Sequence, residues 1–252
     1  PPFQCYYETE RDVGIRASEL INEGIVDFIA KHPDRLFGLG NVPLQAPEVA
    51  VKQLEDVMKA GMHGVQILTN VNGVELSDAR FETFWKRAEE LGAIVLLHPN
   101  GFTEGKRFSN YYFNNIIGNP LETTIALHHL IFAGVLERYP DLKILTVHGG
   151  GYLAAYSGRI DHAWGARADA RANLPKPPTH YLRKVYVDTV VFTPHQLRAL
   201  VEVFGADHVV LGTDFPFDMA EFKPVAHVEQ AGLPDDVVDA IVAGNARRLL
   251  GV

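Results

Sequence analysis

The stretches AIVLLH (Ala93–His98) and KILTVH (Lys143–His148) share one form: a short β-prone run, then a histidine, then a residue that turns the chain, Pro99 in one case and Gly149 in the other. A third stretch, HVVLGTD (His208–Asp214), ends the same way on a carboxylate, with Pro216 close behind. Working outward, three further runs read as strands: LFGLGNVPL (Leu36–Leu44), GVQIL (Gly64–Leu68) and VYVDTVV (Val185–Val191). Between them lie segments with helical spacing. One starts at Pro47, carries Ala50, Leu54, Val57 and Met58 on one face, and stops at Gly61. Another starts at Asp78, aligns Phe81, Phe84, Trp85, Ala88 and Leu91, and stops at Gly92. Asn119-Pro120-Leu121-Glu122 reads as a helix start with Asn119 as the cap. Further helices are expected near Tyr152–Ala166, from Pro194 to Phe204 and from Pro234 to Leu250.

Strands that alternate with helices pair in parallel through crossovers, and nearly all-apolar strands are buried on both faces. Six such units suit a (β/α) barrel or a doubly wound sheet. No Gly-rich phosphate fingerprint follows the first strand, which disfavours dinucleotide binding. The fold class expected is therefore α/β of the (β/α)8 TIM-barrel type, with about six parallel strands present in one domain over residues 1–252.

Composition narrows the function classes. The 252 residues are 47% hydrophobic, enough for a sizeable core, and the formal charge is −8 with no basic stripe, so no nucleic-acid partner is expected. The single cysteine, Cys5, excludes an intrachain disulfide framework and a Cys-rich zinc site. No apolar run reaches the length of a membrane span and no secretory signal pattern opens the sequence, so no membrane partner and a cytoplasmic location are expected.

In a β/α barrel the strand C-termini converge on one face, where active sites are built. His98, His148 and Asp214 would meet there although far apart in the chain. Two imidazoles and a carboxylate suit a borderline divalent ion such as zinc, and a histidine beside such an ion can move protons. The plainer reading is that each residue caps a turn. His148 is followed by Gly149-Gly150-Gly151, which lets backbone approach a ligand closely. Arg159, on the next helix, could clamp a carboxylate or be an exposed helix arginine. The aromatics Phe102, Phe108, Tyr111, Tyr112 and Phe113 follow His98 and should wall a pocket for a flat substrate, or pack against a second subunit. His128 and His129 read as structural. His32, His195, His208 and His227 read as solvated or capping, and His180 as a loop residue.

The segments Thr146–Gly151, GRIDHAW (Gly158–Trp164), PPTHYLRKVYVDT (Pro177–Thr189), LGTDFPF (Leu211–Phe217) and GNARRLLG (Gly244–Gly251) together resemble the aminocarboxymuconate-semialdehyde decarboxylase-like branch of the amidohydrolase superfamily. That resemblance implies His98 and Asp214 as ligands of Zn2+ or another divalent ion such as Mn2+, with no organic cofactor. It implies His148 as an acid/base off the metal, Arg159 and Phe217 as substrate-binding residues, Arg159 reaching across a dimer interface, and a homodimer or higher homo-oligomer as the assembly. The implied reaction is nonoxidative decarboxylation of a carboxylated aromatic or muconate-type acid. The alternatives are a hydrolase or hydratase on the same scaffold, or a non-catalytic fragment or scaffold. The family's first strand ends in His-x-His, which occurs nowhere in these residues. About one to two βα units of the family pattern are thus expected to precede Pro1.

Overall fold

The computed structural model describes residues 2–252. Six parallel strands form one sheet: β1 (Gly40–Asn41), β2 (Gly64–Ile67), β3 (Ile94–Leu97), β4 (Lys143–Thr146), β5 (Tyr186–Asp188) and β6 (Val209–Val210). Each lies beside its neighbour in sequence, from β1 at one edge to β6 at the other. A doubly wound sheet reverses its strand order partway, so this uninterrupted order is that of a barrel-type α/β fold. Val65, Ile67, Val95, Leu97, Ile144, Val187 and Val209 are all fully buried, as expected for strands covered on both faces.

The strands are shorter than their apolar runs. β1 occupies two residues of the nine in Leu36–Leu44, because it sits at the sheet edge and Pro43 has no N–H to extend the ladder. β5 stops at Asp188 although the run continues to Val191, and Ala206–His208 forms a 3-10 turn ahead of β6.

Six longer helices flank the sheet: α1 (Arg11–Ile29), α2 (Pro47–Lys59), α3 (Glu82–Glu90), α4 (Asn119–Phe132), α5 (Leu153–Ala166) and α6 (Pro194–Phe204). α2 and α3 bury the faces expected of them, and buried Trp85 Nε1 donates to the Leu76 carbonyl at 2.8 Å. Each large side chain buried in this way contributes roughly 1.5–3 kcal/mol. α1 goes beyond the sequence reading. Its first half buries only small residues, Gly14 and Ser18, and its second half packs Ile25, Val26 and Ile29 against the core, while Val13, Leu20 and Phe28 stay more than half exposed. Asn70–Val71 and Val74–Glu75 form a small hairpin whose turn, Asn72-Gly73, has both φ angles positive, the form right-twisted strands prefer.

Asn119 does not cap α4. The chain is already helical from Asn114 as a π-helical turn, and the Asn119 Oδ1 instead accepts from Gly101 N–H at 2.8 Å. The C-terminal segment is helical from Asp235 to Leu250, with a π-turn at Ala240–Gly244. No helix among the described residues is long and apolar enough to cross a membrane.

Candidate metal centre

β3 delivers His98. Its N–H still donates to the Ile67 carbonyl on β2 at 3.0 Å, so the residue is held in the strand ladder while Pro99 turns the chain away. The ring Nδ1 lies 2.7 Å from the Pro99 carbonyl oxygen. A carbonyl only accepts, so Nδ1 carries the proton and the Nε2 lone pair is left free. This is the arrangement by which a backbone carbonyl orients a metal-binding histidine.

β4 delivers His148 by a different turn. Its φ is 56°, and Gly149, Gly150 and Gly151 follow at 61°, 75° and 68°. A non-glycine residue in this left-handed region costs roughly 1–2 kcal/mol, so surrounding contacts must hold it. Only glycine fits behind it: a Cβ on Gly149 would collide with Val191, and one on Gly151 with the Pro120 carbonyl. Gly149 N–H donates to Asp188 Oδ1 at 2.9 Å. The His148 Nδ1 is buried and has no hydrogen-bond partner among the described residues.

Asp214 follows β6 on a loop and also has positive φ, 57°. Gly212 N–H donates to Thr189 Oγ1 at 3.1 Å, and the Asp214 carbonyl accepts from Phe217 N–H at 3.0 Å. The carboxylate then faces both rings, with Oδ1 3.8 Å from His98 Nε2 and Oδ2 3.6 Å from His148 Nε2. The ring centroids of His98 and His148 are 5.3 Å apart and nearly perpendicular. One donor atom from each residue falls within 4.8 Å of the others. An ion bound at about 2.0–2.2 Å to N and O donors needs ligand atoms spaced like this. The donor set, with one imidazole already committed to the right tautomer, fits a divalent cation.

The electrostatics agree. Burial works against ionised Asp214, but the two imidazoles outweigh it and hold the carboxyl well below the usual range. For His148, burial disfavours the imidazolium, yet Asp214 and Asp188 outweigh burial and raise its pKa. Asp188 itself is pushed up by burial, partly offset by His148 and by backbone N–H groups.

The three residues open into a cavity of about 550 Å³. Its walls include Tyr112, Tyr152, Phe192 and Phe217 beside Asn100, Asn115 and Gln196. Of the five aromatics expected from the loop after His98, only Tyr112 reaches it; Phe102 packs on Phe108 at 5.3 Å, and Tyr111 is 81% exposed. Arg159 is exposed on α5 and does not line the cavity. His128 bonds its own helix through the Thr124 carbonyl, whereas His227, read as solvated or capping, is buried. Asp188 escaped the sequence reading. It is the last residue of its strand, where His98, His148 and Asp214 lie just beyond theirs, but the residues after it make the run look continuous.

The chain is similar to several known proteins. A 2-amino-3-carboxymuconate-6-semialdehyde decarboxylase of Dictyostelium discoideum is 34% identical over 254 residues, spanning 100% of this chain and 71% of that protein. The crystal structure of 5-carboxyvanillate decarboxylase from Sphingomonas paucimobilis superimposes with a TM-score of 0.90 at 27% identity, over 100% of this chain and 76% of the other. A dihydroxybenzoic acid decarboxylase from a Polaromonas species, solved with bound manganese, shares the fold with a TM-score of 0.87 at 23% identity, over 96% of this chain and 77% of that one. The family profile described as Amidohydrolase matches residues 8–252, and the chain belongs to that family.

Proposed function

We propose that this protein is a metal-dependent, nonoxidative decarboxylase of a carboxylated aromatic or muconate-type acid. The observation that carries the reading is the meeting of His98, His148 and Asp214 at the base of an aromatic-walled cavity. The names of the similar proteins point the same way. The described chain acts in this reading as one (β/α)-barrel domain. Its single, buried cysteine suits a reducing cytoplasm.

His98 and Asp214 would hold the ion. When bound, zinc or manganese supplies Lewis-acid polarisation and offsets negative charge on the substrate. His148, whose Nε2 faces Asp214 at the cavity, carries the proton. It gives that proton to the substrate carbon bearing the carboxylate. The carbon–carboxylate bond then breaks, its electron pair restores conjugation, and CO2 leaves. Phe217, Tyr152 and Phe192 would hold a planar acid against the cavity wall.

A substrate carboxylate needs a counter-charge. No lysine or arginine lines the cavity among the described residues. Tyr156 and Arg159 share one exposed face of α5, and Tyr152, the residue just before that helix, is at the cavity. We read this face as a dimer contact that brings Arg159 of one copy to the cavity of the other.

The test is CO2 release by the metal-loaded protein from 2-amino-3-carboxymuconate semialdehyde, 5-carboxyvanillate and a panel of hydroxybenzoates. Release from at least one is expected; release from none, with stoichiometric metal, rejects the reading. Incubation in oxygen-18 water separates it from a hydrolase or hydratase, which would place label in the organic product.

A further inference from the structure

Asp188 is a buried carboxylate with no part in the reaction as described above. It ends β5, between the strands that deliver His148 and Asp214. One of its oxygens, Oδ1, accepts from two backbone donors: Val190 N–H at 3.1 Å within its own turn, and Gly149 N–H at 2.9 Å on the neighbouring turn. The second bond distinguishes it from an aspartate that only shapes its own loop. Gly149 is the residue directly after His148 and is itself buried, so its N–H has no recourse to water.

The other side of Asp188 is equally constrained. A Cβ on Gly212 would stand 2.7 Å from the Asp188 Cβ, so Gly212 leaves room for the side chain. The adjacent Thr189 accepts from Gly212 N–H. The end of β5 thus touches both turns that carry chemistry: Asp188 meets the one after β4, and Thr189 the one after β6.

We infer that Asp188 is a positioning residue: its hydrogen bond to Gly149 N–H holds the left-handed turn that aims His148 at Asp214 and the cavity. The inference rests on the reading of His148 as the proton carrier. Its physical content is that a buried N–H must keep an acceptor. Without one, the four-residue left-handed run from His148 to Gly151 loses a support that no other side chain gives Gly149 among the described residues. The imidazole then moves relative to the ion site, and Val190, at the cavity wall, loses the same acceptor.

The experiment compares Asp188→Asn, which keeps an acceptor oxygen, with Asp188→Ala, which has none. In the metal-loaded full chain, Asp188→Ala is expected to lower kcat about 100-fold, the scale of an ångström-sized misplacement, with a smaller rise in KM because Val190 N–H at the cavity wall loses the same acceptor. Asp188→Asn is expected to keep at least about a fifth of kcat, since the hydrogen bond survives. In the metal-free protein, amide exchange at Gly149 followed by NMR is expected to quicken at least about tenfold in the alanine variant and stay slow in the asparagine variant. Equal loss in both variants, or an alanine variant with unchanged kcat and Gly149 protection, overturns the inference. If Asp188→Ala does not fold, Asp188→Asn still decides: a fast-exchanging Gly149 or a kcat fall beyond tenfold there overturns it. A wild type that decarboxylates nothing would reject the proposed reaction, and the Gly149 exchange would still show whether Asp188 holds the turn.

Discussion

The turns after β3 and β4 present the same side chain to the same carboxylate, and they do so by opposite means. At His98 the backbone stays in ladder register, the ring is pinned by the carbonyl of the very next residue, and one tautomer is selected. At His148 the backbone leaves the ladder into a left-handed run, the ring's second nitrogen has no partner, and support comes from Asp188 on another strand. A metal ligand benefits from a fixed tautomer and a fixed lone pair. A proton carrier needs a nitrogen within reach of the reacting group, and at His148 that nitrogen is Nε2, which faces Asp214 at the cavity. Under the proposed roles, strand-end position alone does not distinguish the two histidines; the hydrogen bond on the far nitrogen does.

Substituting each histidine is the sharpest way to break this comparison. His148→Ala is expected to leave metal content near that of wild type, measured by elemental analysis, while kcat falls about 10²–10⁴-fold. His98→Ala is expected to lose metal and activity together. Equal metal loss in both would make His148 a ligand and erase the distinction.

The glycines test the backbone side of the same contrast. Gly151→Ala forces φ near 68° on alanine and drives its Cβ into the Pro120 carbonyl, a main-chain atom that cannot yield. A loss of about 2–4 kcal/mol in urea unfolding is expected. Gly101→Ala, in the loop after His98, also sits at positive φ, but its Cβ meets the flexible Asn114 amide. A loss of about 1 kcal/mol is expected there. A larger effect at Gly101 would mean that the His98 turn is the more strained of the two.

The smallest effect concerns the His148 site without metal. Its folded pKa is raised, with burial opposing and Asp214 and Asp188 prevailing, so the folded state holds its proton more tightly than the unfolded chain. That stabilisation is complete below the ordinary histidine value of about 6.5 and is lost as pH rises through the higher folded value. Thermal melts of metal-free protein should therefore show a Tm that falls from pH 6 to pH 8, with the fall reduced in His148→Gln. Asp214 works in the other direction: its lowered pKa gives stability above the ordinary carboxylate value of about 3.9, lost as pH drops below it.

The β/α alternation was legible because buried parallel strands are short apolar runs cut by turns, and three of the site's groups were legible because they interrupt such runs at the point of turning. What the sequence hid follows from the same physics. Asp188 is followed by more apolar residues, so its interruption reads as an inward blemish in a longer strand. The first half of α1 packs through Gly14 and Ser18, whose smallness permits close contact but leaves no hydrophobic signature there. Asn119 carries the chemistry of a cap, yet a π-helical turn before it removed the terminus that needed capping. The aromatics after His98 could be assigned to a loop but not to its inner side, since loop facing depends on contacts such as Glu122 Oε1 with Thr103 N–H that no local pattern announces.

The pinning of His98 by the Pro99 carbonyl has an evolutionary side. An acceptor that belongs to the main chain is carried by every possible codon at that position, so no point mutation can delete it while the turn persists. Lineages that drift toward new acids can therefore rewrite the cavity wall freely without losing the orientation of this imidazole.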